Sequence, residues 1–156
     1  MKRLWAPWRK KYITEGTGKG CFLCRARRSR KDRESFIIAR SKSSFAVLNI
    51  YPYNNGHVLV VPNRHVAVLS ALKDNELLDL TRLCDKAMNK ITKVMKAQGI
   101  NLGVNFGYAA GAGLPGHLHI HIVPRWVGDT NYMPVIGETK VISDSLQAVY
   151  ESLKMS

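Results

Sequence analysis

Three histidines stand at alternate positions in His117-Leu118-His119-Ile120-His121-Ile122-Val123-Pro124. A period of two is the mark of a strand, so the imidazoles share one face while Leu118, Ile120 and Ile122 turn toward a core. Unpaired imidazoles are costly to bury and pack no better than valine or leucine, so three in line require a chemical reason. Zinc clusters are one such reason. Same-face residues on a strand lie about 6.5 to 7 Å apart at the backbone, however, which makes convergence of all three on one ion awkward. A division of labour is easier: one ring acts as nucleophile and a neighbour donates a hydrogen bond to an oxyanion, a combination suited to attack on phosphorus.

Immediately upstream, Gly107-Tyr108-Ala109-Ala110-Gly111-Ala112-Gly113-Leu114-Pro115-Gly116 is rich in glycine and ends where the strand begins. Its backbone N–H groups, those of Gly111 and Gly113 among them, form an expected anion-binding concavity ahead of the first histidine.

Cys21-Phe22-Leu23-Cys24 has the spacing of half a zinc site and needs two more ligands from elsewhere. A redox dithiol is disfavoured, because no thioredoxin-like βαβ pattern surrounds it; two ordinary buried cysteines are a further alternative. With Cys84 alone on an apolar helical face, three cysteines do not make the disulfide framework of a secreted protein. A reduced, cytoplasmic setting is expected.

The elements that must position these groups begin at Phe36. Phe36–Ala39, Phe45–Leu48, Val58–Val61 and Leu102–Phe106 are apolar runs of strand length, rich in β-branched and aromatic residues. Pro52 and Asn54-Asn55-Gly56 mark a loop between the second and third, which predicts a hairpin in an antiparallel meander. Between Asp74 and Gln98 the period changes. Leu77, Leu80, Cys84, Ala87, Ile91, Val94 and Met95 recur every three or four residues, and Gly99 follows as a helix-ending glycine. A shorter helix is predicted over 143–153. The fold class is therefore α+β: an antiparallel sheet of about five strands with one long helix packed on it and a shorter C-terminal helix.

The chain of 156 residues suits one globular domain, and its 46% apolar content permits a packed core. No apolar run approaches the length of a membrane span, and the start lacks a signal-peptide stretch. The net charge is +13 at pH 7, and residues 1–42 carry 14 basic and 3 acidic side chains. We read residues 1–34 as a basic N-terminal arm bearing the cysteine pair and 35–156 as the catalytic domain. Such a field attracts polyanions. A nucleic-acid-binding module using Arg25 to Lys42 is accordingly the alternative of a different class, although no helix-turn-helix, KH or RRM pattern accompanies it.

The His-x-His-x-His segment, with Phe45-Ala46-Val47-Leu48-Asn49 and Gly56-His57-Val58-Leu59-Val60-Val61-Pro62 before it, resembles the signature of the histidine triad (HIT) family of nucleotidyl hydrolases and transferases. Pro124-Arg125-Trp126-x-Gly128-Asp129-x-Asn131 and the opening Trp5-x-Pro7-Trp8-Arg9 are most similar to its prokaryotic diadenosine tetraphosphate phosphorylase-like branch. The resemblance implies cleavage of the phosphoanhydride of a dinucleoside polyphosphate through a nucleotidyl-histidine. It makes His119 the nucleophile through Nε2, with its tautomer fixed by a carbonyl accepting from Nδ1–H. His121 would bind the α-phosphate oxygens, and His117 would assist the leaving group or support the loop. It further implies His57 behind the triad, Asn49 near the ribose and Asn105 at the phosphates. Where many relatives carry glutamine and serine or threonine, this chain has Gly113 and Leu114, which shifts phosphate binding toward backbone donors and away from the phosphoramidase branch, the alternative within the family. Finally, the resemblance supplies His65 and His117 as partners of Cys21 and Cys24 in a structural zinc site, and implies a homodimer through the long helix and an adjacent strand.

Overall fold

Five strands form one sheet: β1 (Ile37–Arg40), β2 (Ser44–Leu48), β3 (Val58–Pro62), β4 (Gly99–Val104) and β5 (Ile120–Arg125), in the order β1-β2-β3-β5-β4. Every neighbouring pair is antiparallel. The computed structural model describes residues 20–137 and 139–155, so the aromatic segment around Trp5, Pro7, Trp8 and Arg9 lies outside the described residues.

All residues of β2 and β3 are buried, which is why these strands read as unbroken apolar runs instead of alternating ones. Their side chains divide between two cores. Ala46, Leu48, Val58 and Val60 join Ile38, Ile120 and Ile122 on one face. Phe45, Val47, Leu59 and Val61 join Ile37 on the other.

The first face is covered by a long helix. The N-terminal segment supplies α1 (Phe22–Ser29) and the single turn α2 (Asp32–Ser35), after which comes α3 (Asp74–Met95). Leu80, Leu83, Cys84, Ala87 and Ile91 of α3 are its buried stripe, at helical spacing. Two further helices follow, α4 (Met133–Ile136) and α5 (Leu146–Leu153), the latter adding Val149, Tyr150 and Leu153 to the same core. The second face is covered by α1 through Leu23, which is fully buried. This is how a segment crowded with arginines finds a place: its one deeply buried leucine anchors it while Arg25, Arg28 and Arg30 stay exposed and Arg27 is half-buried.

Three local expectations are corrected. The long helix ends at Met95, and the left-handed residue that stops it is Lys96 (φ 54°), not Gly99. Gly99 instead opens β4, paired with Arg125, so that strand lies at 99–104 instead of 102–106. The sheet is also not a simple meander. After α3 crosses the sheet, β4 takes the edge and the chain returns between β3 and β4 as β5, because Ile120 and Ile122 are apolar enough for the interior of the sheet whereas β4 exposes most of its residues.

Candidate active site

The β5 ladder begins at Ile120, so among the three alternating histidines it is His121 that sits within the sheet. It pairs with Leu59 of β3 on one side and Gly103 of β4 on the other. His117 and His119 lie on the chain that leads into the strand. With Ile120 and Ile122 directed at the α3 core, His121 projects from the opposite face. A Cβ added to Gly103 would meet no atom within 4 Å, so the sheet beside His121 opens into free space. Cross-strand partners share a face, and a larger residue here would intrude on that space.

Hydrogen bonds fix the tautomers. The backbone N–H of Tyr53 points at Nδ1 of His57 at 3.1 Å, and Asn49 Nδ2 lies 3.3 Å from the same nitrogen. A backbone N–H can only donate, so Nδ1 of His57 is an acceptor and its proton resides on Nε2. That Nε2–H donates to Nδ1 of His121 at 3.0 Å. The proton of His121 is thereby on its Nε2, which is buried with no partner among the described residues. A buried donor without an acceptor is costly, and an anionic oxygen would satisfy it.

His119 is arranged with the opposite polarity. Its Nδ1 is 2.7 Å from the carbonyl of His117, so Nδ1–H donates and Nε2 carries the lone pair. The His119 and His121 ring centroids are 5.0 Å apart. One ring thus offers a nucleophilic nitrogen and its neighbour a hydrogen-bond donor. Burial keeps both neutral. It pushes His57 down to about 3, helped by the charges that His121 and His119 would carry. It pushes His121 down to about 4, with His119 adding to the shift. It also lowers His119, against the opposing pull of the bond to the His117 carbonyl.

His117 belongs to a different constellation. Its Nε2–H donates to the carbonyl of Pro62 at 2.9 Å, which leaves the Nδ1 lone pair facing Cys21 Sγ at 3.2 Å and Cys24 Sγ at 3.5 Å. His65 Nδ1 lies 3.5 Å from Cys24 Sγ. Both nitrogens of His117 are therefore occupied away from the Nε2 atoms of His119 and His121, so a direct role with the leaving group has no geometric support. The four ligand atoms of Cys21, Cys24, His65 and His117 all lie within 4.8 Å of one another. Burial and the neighbouring Cys21 thiol both push Cys24 up, a strain on the thiolate that a cation would relieve. The group is suited to holding a metal ion.

The remaining sequence candidates have structural settings of their own. Asn49 commits Oδ1 to the N–H of Tyr51 at 3.0 Å and its amide to His57, so it shapes the loop before β3. Asn105 follows β4 directly, one residue past the Val104–Ile120 pair. In the glycine-rich loop the N–H groups of Gly111 and Ala112 are spent on Tyr108 and Gly107 carbonyls, and Gly116 lies against His65.

Two supports were not legible as such in the sequence. Tyr53 places its ring 5.7 Å from His121 at an interplanar angle of 11°, in addition to fixing His57. Asp129, in the conspicuous Pro-Arg-Trp-x-Gly-Asp run, accepts from Arg125 Nε at 2.6 Å and from Asn54 Nδ2 at 2.8 Å. That clamp joins the Tyr53 loop to the end of β5. The turn glycines near them, Gly56 and Gly128, were the available signal, but they named no partner.

Comparison with known proteins places these features in context. A family model described as HIT domain matches residues 30–127. The chain is 41% identical over 155 residues to AP-4-A phosphorylase of Mycobacterium tuberculosis, covering 94% of this chain and 80% of that protein. It is 41% identical over 95 residues to an asymmetrical bis(5'-nucleosyl)-tetraphosphatase of Schizosaccharomyces pombe, covering 61% of this chain and 52% of that protein. The fold resembles the crystal structure of a Zn-bound histidine triad family protein from Mycobacterium smegmatis, with a TM-score of 0.68, 21% identity and coverage of 86% of this chain and 91% of that one.

Proposed function

Because this chain belongs to the HIT domain family, we propose that it cleaves the phosphoanhydride of a dinucleoside polyphosphate, such as diadenosine tetraphosphate, through a nucleotidyl intermediate on His119. The observation that carries this reading is the 2.7 Å bond from His119 Nδ1 to the His117 carbonyl, which leaves Nε2 as a free nucleophile. Nε2 attacks the α-phosphorus, the P–N bond forms, and the bridging P–O bond breaks with its electron pair leaving on ATP. The positive charge that grows on the imidazole is stabilised by the same carbonyl. His121 Nε2–H donates to an α-phosphate oxygen whose charge builds in the transition state, and His57 holds that donor in place.

Inorganic phosphate then attacks the adenylyl-histidine, releasing His119 and forming ADP. The name of the mycobacterial relative, matched over nearly the whole chain, supports phosphate as the acceptor. The same reading assigns Asn105 and the loop bearing Gly111 and Gly113 to the phosphates and Asn49 to the ribose, with the Gly111 N–H and both polar atoms of Asn49 holding their own loops in shape. Incubation with diadenosine tetraphosphate, with and without inorganic phosphate, tests the reading: ADP plus ATP appearing only with phosphate supports it. AMP plus ATP means water is the acceptor, and no cleavage at all overturns the proposal.

The Cys21, Cys24, His65 and His117 group fits a structural zinc. A tetrahedral ion with Zn–S near 2.3 Å and Zn–N near 2.0–2.1 Å holds its ligand atoms roughly 3.3–3.8 Å apart, close to the 3.2 and 3.5 Å already separating His117 Nδ1 from the two sulfurs. With four protein ligands, zinc would supply cross-linking of α1 to the segment entering β5 and no open position for catalysis. A homodimer is part of the same reading, supported by the edge position of β4 and by its exposed Leu102. So is a reducing, cytoplasmic setting, supported by three free cysteines.

A further inference from the structure

Apart from His119 and His121, and beside the Cys24–His117 cluster, three arginines gather at one cavity. It has a volume of about 430 Å³ and is bordered by Arg27, Arg30, Asp32, Arg40, Ser41 and Asn63. Small-molecule sites commonly fall in this size range. Neither His119 nor His121 contributes to its wall.

Charge at this cavity is unbalanced. Arg40 is committed: it donates to Asp32 Oδ1 from Nη2 at 2.6 Å and to the Arg27 carbonyl from Nη1 at 3.1 Å. Arg27 and Arg30 form no ion pair among the described residues. The Nε of Arg27 is, in addition, buried with no acceptor among the described residues. Buried donors are almost always bonded, so Arg27 keeps hydrogen-bonding capacity that no described residue uses. Guanidinium groups match phosphate oxygens in a fork geometry.

The wall also says what is not read. Among the described residues its border contains no aromatic and no aliphatic side chain, whereas nucleobases are held by stacking on aromatic rings. These residues offer donors for a phosphate chain and no stacking surface for a base. The sequence had singled out this arginine-rich stretch, which the cleavage reaction leaves without a role.

We propose that this cavity is a second anion site, distinct from the histidine centre, that binds a short phosphate chain through Arg27 and Arg30, with Arg40 held in place by Asp32. The chain can be a free oligophosphate or the polyphosphate end of a nucleotide, recognised identically. The site is independent of the chemistry at His119.

The test is titration calorimetry of the full chain with tripolyphosphate and with ATP, accompanied by hydrogen exchange to locate the bound anion. Arg27→Gln with Arg30→Gln is expected to weaken tripolyphosphate at least about tenfold, while Lys86→Gln with Lys93→Gln, which removes the same charge from α3, changes it less than about twofold. Asp32→Asn, which frees Arg40 and removes the one carboxylate, is expected to tighten binding, a gain that misfolding cannot imitate. Protection should appear over Phe22–Ser29 and at Arg40 and Ser41, with ATP and tripolyphosphate within about threefold of each other. Equal losses in the two double variants would show attraction to bulk charge only and overturn the proposal. So would protection confined to 117–121, or a single-stranded oligonucleotide binding through Arg27 and Arg30 where tripolyphosphate does not.

Discussion

His57 Nε2 lies 3.0 Å from His121 Nδ1, and the direction of that bond is set from the far side of His57, where the Tyr53 backbone N–H approaches Nδ1 at 3.1 Å. A main-chain donor two rings away therefore decides that His121 presents N–H, and not a lone pair, to the site. His57→Phe keeps an aromatic ring in the buried place but removes the donor. We expect kcat to fall about 10- to 100-fold, the usual cost of losing a group that orients a working imidazole, with KM little changed. His57→Gln, whose amide can still donate, should recover part of the loss.

Replacement of His119 removes the proposed nucleophile outright. His119→Ala is expected to lower kcat by at least about 10³-fold while leaving nucleotide affinity largely intact. Rapid quench with labelled diadenosine tetraphosphate should trap an acid-labile adenylyl adduct in the wild type and none in the variant.

The pH dependence of stability follows from the same buried pair. Burial holds His57 at about 3 and His121 at about 4 in the folded protein, whereas an unfolded imidazole titrates near about 6.5. Between these values the unfolded chain binds more protons, so folding stability rises with pH across that window. Stability is complete above about pH 7 and is progressively lost as pH falls from about 6.5 toward 4. Urea denaturation at stepped pH should show this slope, and His57→Phe should make it shallower.

Metal binding at Cys21, Cys24, His65 and His117 should be structural. Purified protein is expected to carry about one zinc per chain, and Cys24→Ser or a strong chelator should lower Tm by an amount on the order of 10 °C. Because His117 also supplies the carbonyl that orients His119, a smaller loss of kcat should accompany metal removal. An unchanged Tm with chelator would remove the site.

Gly103 pairs with His121 and leaves open space beside it, which the proposed reaction would fill with nucleotide. Gly103→Val is compatible with an edge strand but fills the open space beside the ring. The expected result is a rise in KM of about tenfold or more with a smaller change in kcat, since ground-state binding is what the added side chain obstructs. Steady-state kinetics separates the two.

Much of this molecule was written in local pattern. The period of two at 117–123, the apolar runs at β2 and β3, and the helical stripe from Leu80 to Ile91 each follow from which side chains must leave water, and that is a property of neighbouring residues. The same patterning could not say where β5 enters the sheet, since insertion between β3 and β4 depends on hydrogen bonds between segments far apart in the chain. Nor could it choose between Lys96 and Gly99 as the helix stop: the left-handed residue is fixed by where β4 must begin to meet Arg125.

His117, His119 and His121 stood out by type and spacing, whereas His57, His65 and the division of roles rested on the family resemblance and not on any local pattern. An imidazole has two nitrogens, and which one keeps its proton depends on the partner it meets in space: the His117 carbonyl for His119, the Pro62 carbonyl for His117, the Tyr53 N–H acting through His57 for His121. Sequence determined the chemical inventory and the elements that carry it. Only tertiary structure decided which ring keeps a free lone pair, which presents an N–H and which turns toward the cysteines, because protonation at a single ring nitrogen is settled by contacts a few ångströms long between residues distant in the chain.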